Sequence, residues 1–164
     1  MTTAPRTGET TVTTPSDREV VAARVFEAPR ELVWRAYTEP EHLRQWMLGP
    51  EGWAITVCEQ DLRPGGAYRY VWQNEDGSEL EITGVNREVE APERLVATES
   101  WGDEWAEFVN TITFTEEDGR TTITVTMLYP SKEARDAALA TGMTDGMNAG
   151  YDRLEELLRS QLEG

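Results

Sequence analysis

The chain has 164 residues, which is enough for one domain whose hydrophobic core needs no metal or disulfide. Its 15 Lys and Arg residues against 31 Asp and Glu give a formal net charge of −16, which argues against nucleic acid or an anionic membrane surface as a partner. The single cysteine, Cys58, excludes an internal disulfide and is typical of a reducing compartment, so a cytoplasmic location is expected.

The first sixteen residues are rich in Thr and Pro and contain no apolar run. They resemble neither a signal peptide nor a membrane anchor, and their composition predicts a disordered tail over residues 1–16. Residues 17–164 are predicted to form a single domain, because they show no internal repeat and no second domain.

A strand, two short helices and six further strands are predicted in chain order. The alternation of Asp17 to Glu27 predicts the first strand. Pro29 begins a helix that ends at Glu39-Pro40, and Glu41 to Met47 predicts a second helix. The six strands that follow in hairpin succession are Trp53–Leu62, Ala67–Gln73, Glu79–Val89, Arg94–Trp101, Trp105–Thr115 and Arg120–Tyr129. Gly84 predicts a bulge or bend.

The final stretch, Ser131 to Leu162, predicts a long helix. Its apolar stripe consists of Met147, Tyr151, Leu154, Leu158 and Leu162. Because each glycine in a helix interior costs about 1 kcal/mol relative to alanine, the repeat of Gly142, Gly146 and Gly150 needs an explanation. Either the backbone passes close to another element, or the missing side chains leave space for a guest. Gly142 also suits a break that would separate a short helix, Ser131 to Ala140.

Any cavity is expected to have the N-terminal half of this helix as its floor. The other half, with Leu154, Leu158 and Leu162, is expected to be solid core. Runs of strands followed by a helix predict an α+β fold rather than a parallel sheet.

Several motifs then carry a resemblance to a known family. They are Phe26 to Trp34, Tyr37 to Leu43 with Trp46, Asp61 to Gly66, Pro92 to Val96, and Gly142 to Gly146. Together they resemble the SRPBCC superfamily, also called START or Bet v 1-like, and within it the C-terminal domain of the activator of Hsp90 ATPase. The resemblance extends from Asp17 to Leu162. It implies a helix-grip fold, in which a curved seven-stranded antiparallel sheet wraps around the long C-terminal helix and encloses a cavity.

Isolated reactive residues give little indication of catalysis. His42 is the only histidine, which excludes a histidine-pair metal site, and it is expected to be a surface or packing residue. Cys58 stands beside the acidic Glu59, so it is expected to be structural. Arg69, Glu81 and Glu99 lie on strands and are expected on the outer face, the alternative being a polar anchor inside the cavity.

Asn110 is more informative, because it shares its predicted face with Phe108, Ile112 and Phe114. Two roles stay open for its amide: a bond to the backbone at a bulge, or a polar contact that orients a ligand in an apolar pocket. No sequence motif for binding phosphate or a dinucleotide is present.

The expected function is non-catalytic binding of a small, hydrophobic and neutral molecule in the cavity between sheet and helix. The candidate lining residues are Tyr70, Trp72, Trp101, Phe108, Asn110, Met127, Met143, Met147 and Tyr151. No catalytic residue, metal or cofactor is expected, nucleic acid and membrane are not expected as partners, and a homodimer is left open. Two alternatives come from the resemblance: a cyclase or aromatase acting on polyketides, and a module that interacts with Hsp90.

Overall fold

The described part of the chain folds into eight antiparallel strands and four helices. The structure, a computed structural model, describes residues 4–163; residues 1–3 of the predicted tail and residue 164 lie outside the described part. The strands are β1 (Thr11–Thr13), β2 (Glu19–Phe26), β3 (Trp53–Gln60), β4 (Ala67–Asn74), β5 (Glu79–Glu90), β6 (Arg94–Glu99), β7 (Phe108–Glu117) and β8 (Arg120–Leu128). The helices are α1 (Arg30–Thr38), α2 (Pro40–Trp46), α3 (Lys132–Leu139) and α4 (Met143–Glu163).

The strands form one curved sheet in the order β1-β2-β8-β7-β6-β5-β4-β3. The predicted α+β class and the helix-grip arrangement around a long C-terminal helix are confirmed, but the sheet has eight strands and not seven. The additional strand is β1, which lies inside the predicted tail and pairs with β2 through Thr11↔Ala23 and Thr13↔Val21. The prediction of disorder is therefore wrong for this segment. Backbone pairing along the edge of β2 holds it in place, although it has almost no apolar side chains to bury.

Strict alternation places one side of β7 and β8 in the core. Phe108, Asn110, Ile112 and Phe114 are buried, as the sequence predicts. Asn110 pairs with Met127 of β8, so an amide lies among apolar side chains on the concave face of the sheet.

Gly84 lies where β5 leaves its partner β4 and approaches β6. A Cβ atom at this position would collide with the backbone oxygen of Thr98 and with the Tyr68 ring. The Tyr68 hydroxyl donates a hydrogen bond to that same Thr98 oxygen. The sequence predicts a bulge or bend at Gly84; the structure shows a close approach there, and the register shift of β5 falls between Asn86 and Glu88.

The two short helices are fixed to each other and to α4. The Trp46 indole N–H donates to the Ala36 oxygen at 2.8 Å, which joins α2 to α1. The Arg153 guanidinium donates to the backbone oxygens of Trp46 and Gly49, which attaches α4 to the end of α2. These bonds also satisfy carbonyl groups that the helix end would otherwise leave unpaired.

Gly142 separates α3 from α4, with a φ of +81°. This left-handed conformation suits glycine and ends the helical path, so the break is confirmed and Ser131 to Leu162 is not one helix. At Gly150 a Cβ would lie 3.8 Å from the Trp46 ring, an ordinary van der Waals contact, and at Gly146 it would meet nothing within 4 Å. The glycine stripe therefore faces α2 and open space rather than the sheet.

A buried arginine fixes α4 to the sheet. The Arg24 side chain of β2 is fully buried, and its guanidinium contacts Asp152 at 2.8 Å and Glu155 at 3.2 Å. It also donates to the side-chain oxygen of Asn148 at 3.2 Å. Leu154 and Leu158 complete the core beside it, as predicted. Leu162 does not, because it lies in the last turn and is 53% exposed.

Candidate functional site

A pocket of about 280 Å³ opens at the end of the sheet where β6 and β8 finish and β7 begins. One wall is the loop that joins β6 to β7, and the opposite wall is α3. Its lining residues are Trp101, Glu104, Trp105, Ala106, Phe108, Tyr129, Glu133, Ala134, Ala137 and Ala138. The pocket thus combines four aromatic rings, four alanines and two carboxylates.

The four rings contact one another in a row. Trp105 meets Trp101 edge to face with centroids 5.3 Å apart, and Trp101 meets Phe108 in the same way at 5.6 Å. Phe108 stacks on Tyr129 with centroids 4.5 Å apart. Such aromatic contacts contribute about 0.5–1.5 kcal/mol each beyond burial, so the rings hold a defined surface without a ligand.

Helix α3 supplies the small side chains that leave the pocket open. Its N-terminus is capped by Ser131, whose hydroxyl oxygen accepts from the Ala134 N–H at 3.1 Å. Ala134, Ala137 and Ala138 then face the rings. Because alanine extends no further than Cβ, the helix surface stays apart from Phe108 and Tyr129.

Glu99 lies at the N–H edge of the Trp101 ring, on the concave side of the sheet. Its carboxylate accepts from the Trp101 indole N–H at 2.6 Å and from the Asn110 amide at 2.6 Å. Burial raises the pKa of Glu99, and the two hydrogen bonds partly oppose this rise. Burial raises the pKa of the Tyr129 phenol as well, with a further contribution from the charge of Glu99.

The expected outer-face position is therefore wrong for Glu99. Leu95 and Ala97 of β6 are core residues, and the period of two places Glu99 on the same face. Arg69 and Glu81 do lie on the outer face, where they form a solvent-exposed cross-strand ion pair.

Within residues 4–163, the Asn110 side chain makes no hydrogen bond to the backbone. Its Nδ2 donates to Glu99, and within residues 4–163 its buried Oδ1 has no hydrogen-bond partner. Of the two roles left open by the sequence, the bond to the backbone is absent from this part of the chain, and the side chain belongs to a polar cluster with Glu99.

The nine candidate lining residues are divided between pocket and core. Trp101 and Phe108 line the pocket. Asn110 does not line it, but it donates a hydrogen bond to Glu99, which in turn accepts one from Trp101. Met143 contacts the pocket indirectly, because its sulfur lies 3.7 Å from the Tyr129 hydroxyl. The remaining five pack in or against the hydrophobic core, away from these lining residues: Tyr70, Trp72, Met127, Met147 and Tyr151.

Core packing explains the position of those five residues. The Trp72 indole N–H donates to the Met47 oxygen at 2.8 Å, and the Tyr151 hydroxyl lies 2.9 Å from that of Tyr37. Burial raises the pKa of Tyr151 to about 12, so this phenol is neutral at physiological pH. The pocket accordingly has α3 as a wall, where the sequence predicts a floor around Met143, Met147 and Tyr151.

Two lining aromatics are absent from the sequence-based set. Tyr129 continues the alternation of Ile123, Val125 and Met127, and this continuation was the signal that could have identified it. Trp105 gives no such signal, because it lies in the loop before Phe108 rather than at the start of a strand.

The remaining candidate residues lie elsewhere. His42 faces the end of α4, with its Nδ1 3.1 Å from the Gln161 amide nitrogen. Cys58 is buried on β3, and burial raises its thiol pKa, which is the opposite of what a reactive cysteine needs.

No group of three or more His, Cys, Asp or Glu side chains within residues 4–163 is arranged to hold a metal ion. In the same part of the chain, no helix is both long enough and apolar enough to cross a membrane.

Comparison with models of known protein families shows which family the chain belongs to. The model described as "Activator of Hsp90 ATPase homolog 1-like protein" matches residues 27–159. The chain belongs to this family. The residues that match the activator of Hsp90 ATPase homolog 1-like family include every residue that lines the pocket. A comparison with curated proteins found no match.

Solved structures agree with the family assignment. A protein from Rhodobacter sphaeroides is 30% identical, with a TM-score of 0.88 over 93% of this chain and 99% of that chain. A protein from Mycobacterium smegmatis is 27% identical, with a TM-score of 0.81 over 92% of this chain and 97% of its own. A protein from Nitrosomonas europaea is also 27% identical, with a TM-score of 0.80 over 92% and 100%.

Proposed function

We propose that this protein binds a small, largely apolar molecule in the pocket between the β6–β7 loop and α3, without changing it chemically. The observation that carries the proposal is the row of four aromatic rings facing a helix that presents only alanines and one carboxylate. Small-molecule sites are typically concave and apolar, with a few polar groups that orient the ligand.

The size of the pocket limits the ligand. A volume of about 280 Å³ lies just below the range of about 300–1,000 Å³ that is common for drug-sized ligands, so a compact molecule is the best match. A second pocket, of about 230 Å³, is formed by the beginning of the chain and the last turns of α4. Phe26 is its only aromatic lining residue, which makes it the weaker candidate.

Glu99 and Asn110 support binding rather than catalysis. Both carboxylate oxygens of Glu99 accept hydrogen bonds, one from Trp101 and one from Asn110. These contacts hold the indole in place, and Glu99 is not one of the lining residues, so its carboxylate does not face a bound molecule directly. The cluster then acts as a support for the aromatic wall.

The test uses a substitution on α3 that fills the pocket with a larger side chain. Ala137 is an exposed lining residue, so Ala137→Phe places a ring in the pocket without altering the core. Ala149→Phe is the matched control, because Ala149 is an exposed helical alanine on α4 outside the pocket. Both changes cost the same helix propensity, about 0.5 kcal/mol.

The probe is 2-naphthol, a neutral and fluorescent aromatic molecule, and binding is followed through the indole N–H signals of Trp101 and Trp105 by NMR. We expect saturable binding that weakens at least tenfold in Ala137→Phe and stays unchanged in Ala149→Phe. Native mass spectrometry after incubation with a metabolite extract would then identify a natural ligand. Absence of binding to the unaltered protein, or equal binding by both variants, would refute the proposal.

A further inference from the structure

The pocket combines aromatic faces with negative charge, and this combination has a preferred ligand chemistry. We infer that the pocket selects a small alkylated ammonium ion, such as a quaternary amine, over a neutral molecule of the same shape. The inference rests on the proposed function, since it assigns a charge class to the ligand of the same site.

The aromatic lining provides the first argument. Trp101, Trp105, Phe108 and Tyr129 form one continuous row along the pocket. Phe108 and Tyr129 stack on each other and are buried, so the two tryptophans provide most of the ring surface. The face of each ring carries a partial negative charge, so a cation within about 6 Å of the ring centre is attracted, most strongly by tryptophan. Two of the four rings are tryptophans, and Trp105 is 37% exposed, so its ring is accessible to a ligand from solvent.

The carboxylates provide the second argument. Glu104 and Glu133 line the pocket on opposite walls. The basic residues of α3 do not neutralise them, because Lys132 and Arg135 both pair with Asp136. Among residues 4–163, no Lys or Arg nitrogen lies within 4 Å of the Glu104 or Glu133 carboxylate. The net charge of −16 adds an attractive field for any cation.

The apolar part of the lining distinguishes an alkylated ammonium from a metal ion. Ala106, Ala134, Ala137 and Ala138 offer methyl groups and no oxygen ligands. A metal ion would meet only the Glu104 and Glu133 carboxylates on opposite walls, and within residues 4–163 no group of three or more His, Cys, Asp or Glu side chains could hold one. Methyl groups on nitrogen, by contrast, pack against alanine and aromatic carbon. The sequence predicts a neutral ligand, and its set of lining residues does not include Glu104, Glu133 or Trp105. These three residues line the pocket and favour a positive ligand instead.

The test compares choline with 3,3-dimethylbutan-1-ol, its neutral isostere, in which carbon replaces the quaternary nitrogen. Both are titrated at constant ionic strength, and the indole N–H signals of Trp101 and Trp105 report binding. We expect choline to bind about 5- to 30-fold more tightly, the ratio that corresponds to a cation over an aromatic face. Raising the salt concentration should weaken choline binding and leave the alcohol unaffected.

Two variants separate the sources of selectivity. Trp105→Leu keeps an apolar loop residue but removes the ring face, and Glu133→Gln removes one carboxylate from the pocket wall. Each should reduce the preference for choline, measured as the ratio of the two dissociation constants, by at least threefold. Glu31→Gln is the control for Glu133→Gln, because it removes a first-turn carboxylate from α1, outside the pocket, and should leave the preference intact.

Each outcome bears on the inference. A preference for choline that both variants reduce supports it. Equal binding of the two probes, tighter binding of the alcohol, or binding of 2-naphthol with no response to choline overturns the inference and leaves the proposed function standing. If choline, the alcohol and 2-naphthol all fail to bind, both the inference and the proposed function are refuted.

Discussion

Replacing Arg24 with methionine tests whether the buried guanidinium fixes α4 to the sheet. The side chain is fully buried and contacts Asp152 at 2.8 Å and Glu155 at 3.2 Å. Removing one partner of a buried ion pair costs about 3–5 kcal/mol, because the other charge is left without compensation. Asp152 is 60% exposed and regains water, and methionine retains an apolar stem, so we expect a loss at the low end, about 3 kcal/mol.

The assay is urea unfolding followed by circular dichroism at neutral pH, with the thermal midpoint as a second measurement. A loss of about 3 kcal/mol corresponds to a decrease of about 6–12 °C for a domain of this length. Arg159→Met is the matched control, because Arg159 also pairs with Glu155, at 3.4 Å, but is 61% exposed. Its replacement should change stability by less than about 1 kcal/mol. A loss below about 1 kcal/mol for Arg24→Met, or equal losses in the two variants, would contradict this reasoning.

Four further predictions concern three glycines and Glu99. Gly146→Ala should raise the unfolding free energy by about 1 kcal/mol, since the added Cβ meets nothing within 4 Å and alanine favours the helix. Gly142→Ala should lower it by about 1–2 kcal/mol, because φ is +81° there; equal effects of the two substitutions in urea unfolding would refute both. Gly84→Ala should cost about 3 kcal/mol through collision with the Thr98 backbone oxygen and the Tyr68 ring, and a thermal midpoint within about 2 °C of the unaltered protein would contradict it. The pKa of Glu99 is raised in the folded state from its ordinary value of 4.5, so the folded state binds more protons and stability falls as pH rises through the interval above that value. Glu99→Gln removes this contribution, so its stability relative to the unaltered protein should increase with pH across the same interval; a constant difference in urea unfolding between pH 4 and pH 8 would exclude the raised pKa.

Local periodicity made much of the fold predictable. The alternation in β7 and β8 identified the concave face because its period of two is repeated over several residues. The break at Gly142 followed from the backbone freedom of glycine. The strand β1 was not predictable from composition, since the edge of β2 that holds Thr11 to Thr13 is formed only in the folded sheet.

The pocket was less predictable, because it depends on how separate segments meet. Glu99 is the last residue of β6, so the alternation of the strand ends at the residue whose face it has to define. Its partner Asn110 is brought near by the register of β6 with β7, and Trp101 lies in the loop after the strand. Trp105 reaches the pocket from a loop, which no period describes. Alanines are common on helices, so the alanines of α3 do not indicate a pocket by themselves. They become pocket residues because aromatic rings lie opposite them in the folded structure.

The break at Gly142 assigns two structural tasks to two helices: α4 attaches to the sheet, and α3 forms one wall of the pocket. Helix α4 carries the contacts to Arg24 and the core leucines, whereas α3 carries the alanines that set the width of the pocket. Residues 140–142 join the two helices. A substitution in α3 therefore does not alter the residues of α4 that pair with Arg24. Substitutions in this eight-residue helix and its facing loop are therefore expected to change the shape of the pocket while the Arg24 contacts and the core leucines of α4 are retained.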